Sequence, residues 1–400
     1  MPAKKAKCDA LTPPRKKIAI LVTRMSLGGA QQVAFETALR LDPARFETYL
    51  ISGSGGVLDP VAEKAMGSRF VRIPSFKHFI SPFHDLAAFF SLWAFFLRVK
   101  PDLVHTHSSK AGLLGRMAAR LAGVRRVVHT VHGWSFNDFM QDPGRRAYIW
   151  LERMMAPWTS KLVVVAQSGK DKGLLNHIGR EEQYVLIRAG VDLTLWSKAK
   201  RGRQDLNKKL AALKIPAIKT DEKVVGCIAN CKPQKNPLDF VRVASKVLKR
   251  APRTRFVYVG EGPLQAEAQN LASSLGIASK VHFLGFSDAP LPLARGFDMF
   301  LLTSLWEGLP CVFSQALSLG LPVVATNVDG APEIIDEGVN GYLCQPHDVE
   351  ALADRVTALV AKPELMRRLS AAAKKSVGKE FSFEAMALRS AEVYESLCAF

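Results

Sequence analysis

The 400-residue sequence predicts an α/β protein with two parallel sheets in tandem, and three observations carry that reading. Short β-branched runs alternate with helical stretches along the chain, the pattern of parallel strands joined by crossover helices. The alternation falls into two series, separated by the basic and weakly patterned stretch 198–219. The length suits two domains of roughly 150–200 residues better than one oversized core.

The first series opens with Lys17–Thr23, followed by Gly28-Gly29 and an amphipathic segment to Leu41. Phe46–Ile51, Asp102–His105, Arg126–Val131 and Leu162–Ala166 repeat the strand pattern. The second series runs through Lys223–Ile228, Arg255–Val259, Val281–Leu284, Asp298–Thr303 and Pro322–Ala325, with helices expected over Pro237–Arg250 and Pro263–Leu275. Two Rossmann-like halves fit this order better than one large sheet. Ligands of such sheets bind beyond the carboxyl ends of the strands, so a cleft between two facing halves is the expected site. The stretch Phe383–Leu397, apolar at Met386, Leu388, Ala391, Tyr394 and Leu397, is predicted helical. The expected division is a basic tail over 1–15, a first domain over 16–190, a basic linker or insertion over 191–221, a second domain over 222–380 and a closing helix over 381–400.

Hydrophobic residues at 48% and charged residues at 23% exclude a disordered, collagenous or coiled-coil chain. Six cysteines do not make a disulfide scaffold, and Cys227 and Cys231 have no neighbouring Cys/His pair to complete a zinc site. They read as reduced thiols of a cytosolic protein. The net charge of +19 is uneven: residues 1–190 hold 28 Lys/Arg against 14 Asp/Glu. A basic front half implies an anionic partner, either nucleic acid or an anionic membrane surface. The basic N-terminus (Lys4, Lys5, Lys7, Arg15, Lys16, Lys17) is followed only by the short run Ile18–Val22, which does not make a signal peptide. The longest apolar stretch, Leu86–Leu97, has 12 residues, whereas a spanning helix needs about 20. It carries Phe89, Phe90, Trp93, Phe95 and Phe96, with Lys77, His78, Arg98 and Lys100 around it. It reads either as a buried helix or as a helix dipping into membrane headgroups, and the basic charge favours the second.

The most informative segment is Ser304–Gly320, SLWEGLPCVFSQALSLG, which reads as a strand end, a loop at Glu307-Gly308 and a helix opened by Pro310. Free amides of Leu309, Cys311 and Val312 at the helix start would favour a phosphate or diphosphate. Glu307 and Gln315 lie eight residues apart and could bracket a sugar nucleotide. The plainer alternative is an ordinary strand–loop–helix with an exposed acid.

This segment, with its continuation Thr326-Asn-Val-Asp-Gly-Ala-Pro-Glu333 and Gly338-Val-Asn-Gly341, resembles the C-terminal signature of family-4 glycosyltransferases of the GT-B fold. The resemblance implies two facing Rossmann-like domains and a last helix crossing back to the first. In that family the first acid contacts the donor sugar hydroxyls and the second holds the ribose. Glu307 matches the first, but the second position is Gln315, whose amide can still bond a hydroxyl. Gly28-Gly29 resembles the glycine loop that closes on the diphosphate; the alternative is a turn needing positive φ. Thr130-Val-His132-Gly133 resembles the strand-end H-G whose histidine faces donor sugar or acceptor. Ala229-Asn230-Cys-Lys232-Pro-Gln-Lys235 resembles the loop that neutralises the diphosphate. Lys235 falls on the lysine position, Asn230 replaces the arginine, and Lys232 is expected to supply the missing charge. Gly260-Glu-Gly262-Pro and Phe283-Leu284-Gly-Phe resemble the loops around the nucleotide.

Pro101–Gly112 with Gly115-Arg116 resembles the branch that builds bacterial capsule, exopolysaccharide and lipid-linked oligosaccharide chains. His105 and His107 sit i, i+2 on a strand with no third ligand, which argues against a metal. Lys110 and Arg116, with Trp134, are candidates for the acceptor, and solvated helix positions are the alternative for the two cations. The resemblance implies retaining transfer of a sugar, N-acetylhexosamine by branch, from a UDP-sugar to an undecaprenyl-diphosphate glycan. Lys235, the Gly28-Gly29 amides and the amides after Gly308 would stabilise the leaving diphosphate without a metal, while Glu307 and His132 orient the sugar. The expected place is the cytoplasm, peripherally at the inner face of the membrane, with no nucleic-acid partner. Rival readings are a UDP-sugar 2-epimerase, which needs paired carboxylates where only Glu307 stands out, a nucleic-acid binder, for which no reader fold is visible, and a non-catalytic nucleotide-sugar binder.

Overall fold

The computed structural model describes residues 14–398, so the tail lysines Lys4, Lys5 and Lys7 lie outside the described residues. The first sheet holds β1 (Lys16–Leu21), β2 (Phe46–Ser52), β3 (Phe70–Arg72), β4 (Leu103–His107), β5 (Val127–Val131), β6 (Lys161–Val164) and β7 (Tyr184–Leu186). The second holds β8 (Lys223–Ile228), β9 (Thr254–Val259), β10 (Val281–Phe283), β11 (Met299–Leu302), β12 (Val323–Thr326) and β13 (Gly341–Cys344). Their orders are β3-β2-β1-β4-β5-β6-β7 and β10-β9-β8-β11-β12-β13. Every pairing is parallel. Strand order reverses between β1 and β4 and again between β8 and β11, and a crevice opens beyond the carboxyl ends at such points. All residues of β4 and β5 are buried, because helices cover both faces of a parallel sheet.

The three strands missing from the sequence reading are β3, β7 and β13, of three or four residues each at the outer ends of the sheets. Such short runs give no alternation to detect. The basic stretch 198–219 is not a loose linker. Its helix Gln204–Ala212 buries Leu206 and Leu210 completely against the second domain and turns its lysines outward. The i, i+4 leucine pair was masked by the charge around it.

The apolar stretch Leu86–Leu97 lies in helix Pro82–Val99, one face of which is buried, as the first reading expected, while another is exposed. Ala88, Leu92, Phe95 and Phe96 are core residues, whereas Phe83, Leu86, Phe90 and Leu97 form an exposed stripe along the helix. Thus Phe95 and Phe96 are unavailable to a membrane, and the outward face is set by its neighbours. The closing helix Phe383–Cys398 returns to the first domain. Tyr394 packs edge-on to Phe46, its hydroxyl lies 2.5 Å from His105 Nδ1, and Arg126 Nε donates to the Leu397 carbonyl at 2.7 Å.

The two halves meet backbone to backbone. A Cβ placed on Gly308 would stand 2.0 Å from the His132 carbonyl oxygen, and one on Gly330 would stand 2.7 Å from the Ala166 methyl carbon. Glu333 of the second domain accepts from the amides of Gln167 and Ser168 at 2.9 and 3.0 Å and pairs with Arg188. It therefore caps the first turn of helix Gln167–Leu175 in the other domain. Burial alone would raise the Glu333 carboxyl, but these amides and Arg188 outweigh it and hold its pKa below the ordinary value. Gly308→Ala should force the halves apart: small-angle scattering should show a larger radius of gyration, with unchanged far-ultraviolet circular dichroism.

Candidate functional site

A cleft of about 290 Å³ runs between the halves at the carboxyl ends of the strands, a size suited to a small ligand. Gly28 and Gly29 after β1 and His132 after β5 line it from the first domain. From the second come Asn230 and Lys235 after β8, Gly260 after β9 and Glu307 after β11. Gly308, Leu309, Pro310, Cys311, Val312 and Gln315 complete that wall. Thirteen of the expected site residues thus share one cavity.

Two helices begin at this cleft from opposite sides. Helix Gly29–Arg40 and helix Cys311–Ser318 start so close that a Cβ on Gly29 would be 3.1 Å from Cys311 Sγ. The first amides of each helix have no intrahelical acceptor, and both positive dipole ends face the same space. A diphosphate is the ligand such an arrangement favours. Gly28 has φ −173°, extended backbone open to any residue, so the positive-φ turn is not what selects glycine. Nor does backbone crowding select it: a Cβ on Gly28 would meet only the movable end of the Gln31 side chain, 2.7 Å from Oε1. Pro310 is the residue before the helix rather than its first member, and Glu307 lies in the loop, so Glu307 and Gln315 face the cleft from different elements.

The buried charge in the cleft is paired, while Asp288 adds an exposed carboxylate to its lining. Lys235 Nζ contacts Glu307 Oε1, with side chains only 15% and 7% exposed. Gln234 Nε2 donates to the Trp306 carbonyl at 2.8 Å and reaches Glu307 Oε2 at 3.4 Å. The Glu307 amide donates to Asp329 Oδ2 at 2.6 Å. Burial raises the Asp329 carboxyl, partly offset by that amide and by Lys172.

Behind His132 stands a row of buried histidines. His107 Nδ1 lies 3.0 Å from His132 Nε2, and His107 Nε2 is buried with no partner. The His105 ring lies tilted against His107, centroids 4.2 Å apart, and is held by Tyr394 and by Thr130 at 2.7 Å. Burial, reinforced by repulsion among the rings, drives His105 down to about 3 and holds His107 well below the ordinary value, and burial with the nearby Arg116 charge does the same to His129. Burial alone takes His132 to about 4. Both members of the His107–His132 pair are therefore neutral near pH 7. A buried orphan N–H is rarer than a buried orphan lone pair, so the proton of His107 belongs on Nδ1, donating to His132 Nε2. That fixes the His132 proton on Nδ1, an atom without a partner among the described residues. Among the described residues no three His, Cys, Asp or Glu side chains are grouped to hold a metal.

Several expected residues lie elsewhere. Gly133 and Trp134 line a small cavity beside Glu307, where the Trp134 indole packs on Phe136 and spends its N–H on the Gly169 carbonyl. Leu284 is a core residue, and Gly262, at φ 159°, serves a close approach to the Cys231 carbonyl. Lys232 lies outside the cleft lining, its pKa lowered by burial and then by Lys235. Lys110 and Arg116 are not solvated: Lys110 is held 2.6 Å from Asp85, and Arg116 is fully buried and 2.8 Å from Glu152. Sequence reasoning missed His107 as the partner of His132, Gln234 and Asp329. His107 had a signal, as the second histidine of His105-Thr-His107, and Asp329 stood inside the stretch Thr326–Glu333, whereas Gln234 had none.

Residues 27–195 match the family described as Glycosyltransferase Family 4, and residues 209–376 match Glycosyl transferases group 1. An Escherichia coli UDP-Gal:α-D-GlcNAc-diphosphoundecaprenol α-1,3-galactosyltransferase is 31% identical over 87% of this chain and 88% of its own. A Bacillus anthracis N-acetyl-α-D-glucosaminyl L-malate synthase is 26% identical over 92% and 94%. Among solved structures, Anabaena HepE with UDP and glucose superposes with a TM-score of 0.79 at 21% identity, covering 96% of this chain and all of that one.

The histidine row makes stability acid-sensitive. His132 titrates near 6.5 when unfolded and near 4 when folded, so the unfolded chain holds more protons between those values and stability falls as pH drops through that window. Urea midpoints should decline steadily from pH 7 to pH 4.5, and Tyr394→Phe, which loosens His105, should lower the midpoint at pH 7.

Proposed function

The chain belongs to glycosyltransferase family 4, and on that premise we propose that it moves a sugar, with retention of configuration, from a UDP-sugar to an undecaprenyl-diphosphate glycan. The observation that carries this reading is the pair of helix starts, Gly29 and Cys311, facing each other across the cleft. The bond from the anomeric carbon to the β-phosphate oxygen breaks, and its electron pair goes to the phosphate. The two sets of amides and Lys235 receive that charge as fixed donors already in place. The acceptor hydroxyl oxygen bonds to the same face of the sugar, and its proton passes to the departing phosphate oxygen.

Lys235 and Glu307 hold each other before the donor arrives. A diphosphate draws Lys235 away and frees Glu307 to accept from sugar hydroxyls. His132, with Nδ1–H turned outward, donates to a sugar oxygen. Gln315 takes the ribose through its amide. No divalent metal is required in this scheme. The E. coli relative's name supports a UDP donor and a diphosphoundecaprenol acceptor, and the UDP in the Anabaena structure supports the nucleotide. The sugar is a hexose or N-acetylhexosamine, galactose in that relative's name and N-acetylglucosamine in the B. anthracis one. No helix among the described residues is long and apolar enough to cross a membrane. The exposed stripe Phe83, Leu86, Phe90 and Leu97 on the basic first domain supports peripheral attachment at the inner face.

Purified protein assayed against UDP-, GDP- and ADP-sugars, with membrane lipid extract and EDTA, should release free UDP from one donor only when lipid is present. Lys235→Ala and Glu307→Ala should each lower kcat/KM by about 100-fold or more, and the product anomer should match the donor. Donor binding without turnover on any acceptor would make Gln315 and Asn230 marks of a binding protein instead.

A further inference from the structure

Glu307 stands in the loop between β11 and helix Cys311–Ser318, and a loop by itself places a side chain less firmly than a strand or helix does. Here the backbone on both sides of Glu307 is engaged by two neighbouring loops. From the loop after β8, the Gln234 carbonyl accepts from the Leu305 amide at 2.8 Å, and Gln234 Nε2 donates to the Trp306 carbonyl at 2.8 Å. From the loop after β12, Asp329 Oδ2 accepts from the Glu307 amide at 2.6 Å, and the Gly330 amide donates to the Gly308 carbonyl at 2.9 Å. Of these four bonds, the one at Glu307 itself is made by a carboxylate, and charge-assisted bonds are the stronger kind.

Asp329 makes that bond from a costly backbone. Its φ is 43°, in the left-handed region that glycine enters freely and residues with a Cβ do not. Aspartate in such a place commonly bonds its own turn, but here Oδ2 goes to an amide 22 positions earlier in the chain. Backbone strain kept for a distant contact gathers at functional sites. Asp329 lines the small cavity beside Glu307 and not the donor cleft, so its effect on a ligand in the cleft passes through Glu307. Asp329 Oδ1 faces Lys172 Nζ at 3.8 Å, and Lys172 also reaches Asp138 at 3.6 Å. Lys172 belongs to helix Gln167–Leu175 of the first domain. The carboxylate that holds Glu307 therefore has its counter-charge in the opposite half.

We propose that Asp329 is the positioning residue for Glu307, and that Lys172 completes its hold when the two halves meet. The proposal rests on the reading of Glu307 as the acid that accepts from donor-sugar hydroxyls. With its amide fixed, Glu307 moves only about its side-chain torsions. It turns to Lys235 in the empty cleft, and to the sugar once the diphosphate draws Lys235 away. Without the Asp329 carboxylate the loop settles elsewhere, while the Gly330–Gly308 bond still anchors the helix start that follows. The sugar loses its acid, and the nucleotide keeps its amides.

Calorimetry on the full chain compares UDP with whichever of UDP-galactose and UDP-N-acetylglucosamine binds the unaltered protein more tightly. Asp329→Gly, which suits the φ of 43°, should fold with an unchanged melting temperature and change UDP affinity less than about twofold, yet weaken the UDP-sugar at least about tenfold, the scale of one hydrogen bond to a charged group. Asp329→Asn, whose amide oxygen can accept the same N–H, should restore the UDP-sugar to within about threefold. Lys172→Met should weaken the UDP-sugar in the same direction, and adding it to Asp329→Gly should cost nothing further. Equal weakening of UDP and the UDP-sugar by Asp329→Gly, or no rescue by Asp329→Asn, would overturn the positioning role. Additive losses would overturn the part given to Lys172. Weakening of the UDP-sugar by Glu307→Ala but not by Asp329→Gly would remove this proposal alone, whereas weakening by neither would remove the sugar contact assigned to Glu307 as well. UDP-sugar binding with these losses but without transfer to any acceptor would leave the positioning role standing and remove the assigned reaction.

Discussion

Close approach of two backbones governs this molecule. His132-Gly133 of the first domain and Gly308 of the second touch without side chains between them. Only that approach brings the starts of helices Gly29–Arg40 and Cys311–Ser318 to face one space. Each strand order reverses at the point where its helix start emerges, so the sheets supply the position and the glycines supply the distance. Glu333 ties the contact from one side by capping a helix of the opposite half.

The charges follow from that geometry. A cleft made of opposed helix starts has a positive field without mobile cations, and the buried pair Lys235–Glu307 within it carries no net charge. Histidine contributes no charge here. The row His105, His107, His132 is packed as neutral rings, fixed at its far end by Tyr394 of the closing helix. The helix that crosses back therefore does more than fasten the domains, because it orders the ring that stands behind the cleft histidine.

Much of this was legible in the sequence because the residues concerned sit at strand ends, where local pattern locates them. Gly28-Gly29, His132, Lys235 and Glu307 each follow a recognisable strand, and parallel sheets send such loops to one rim. The pairing of Lys235 with Glu307 was not legible, since it joins loops 72 residues apart. Nor was the capture of the Glu307 amide by Asp329, or the partnership of His107 with His132, because both depend on how neighbouring strands align. The charge of Arg116 suggested solvent or acceptor, and only the packing of Glu152 behind it shows a buried cation. The three shortest strands and the docked helix Gln204–Ala212 were hidden by brevity and by surrounding lysines.

The affinity of UDP compared with that of uridine, measured by calorimetry in buffer containing EDTA, tests whether the paired helix starts and Lys235 form a diphosphate site. If they do, UDP binds at least about 100-fold tighter than uridine, a difference of about 2.7 kcal/mol. Equal affinities, or UDP binding abolished by EDTA, would contradict a site that holds the diphosphate with amides and one lysine.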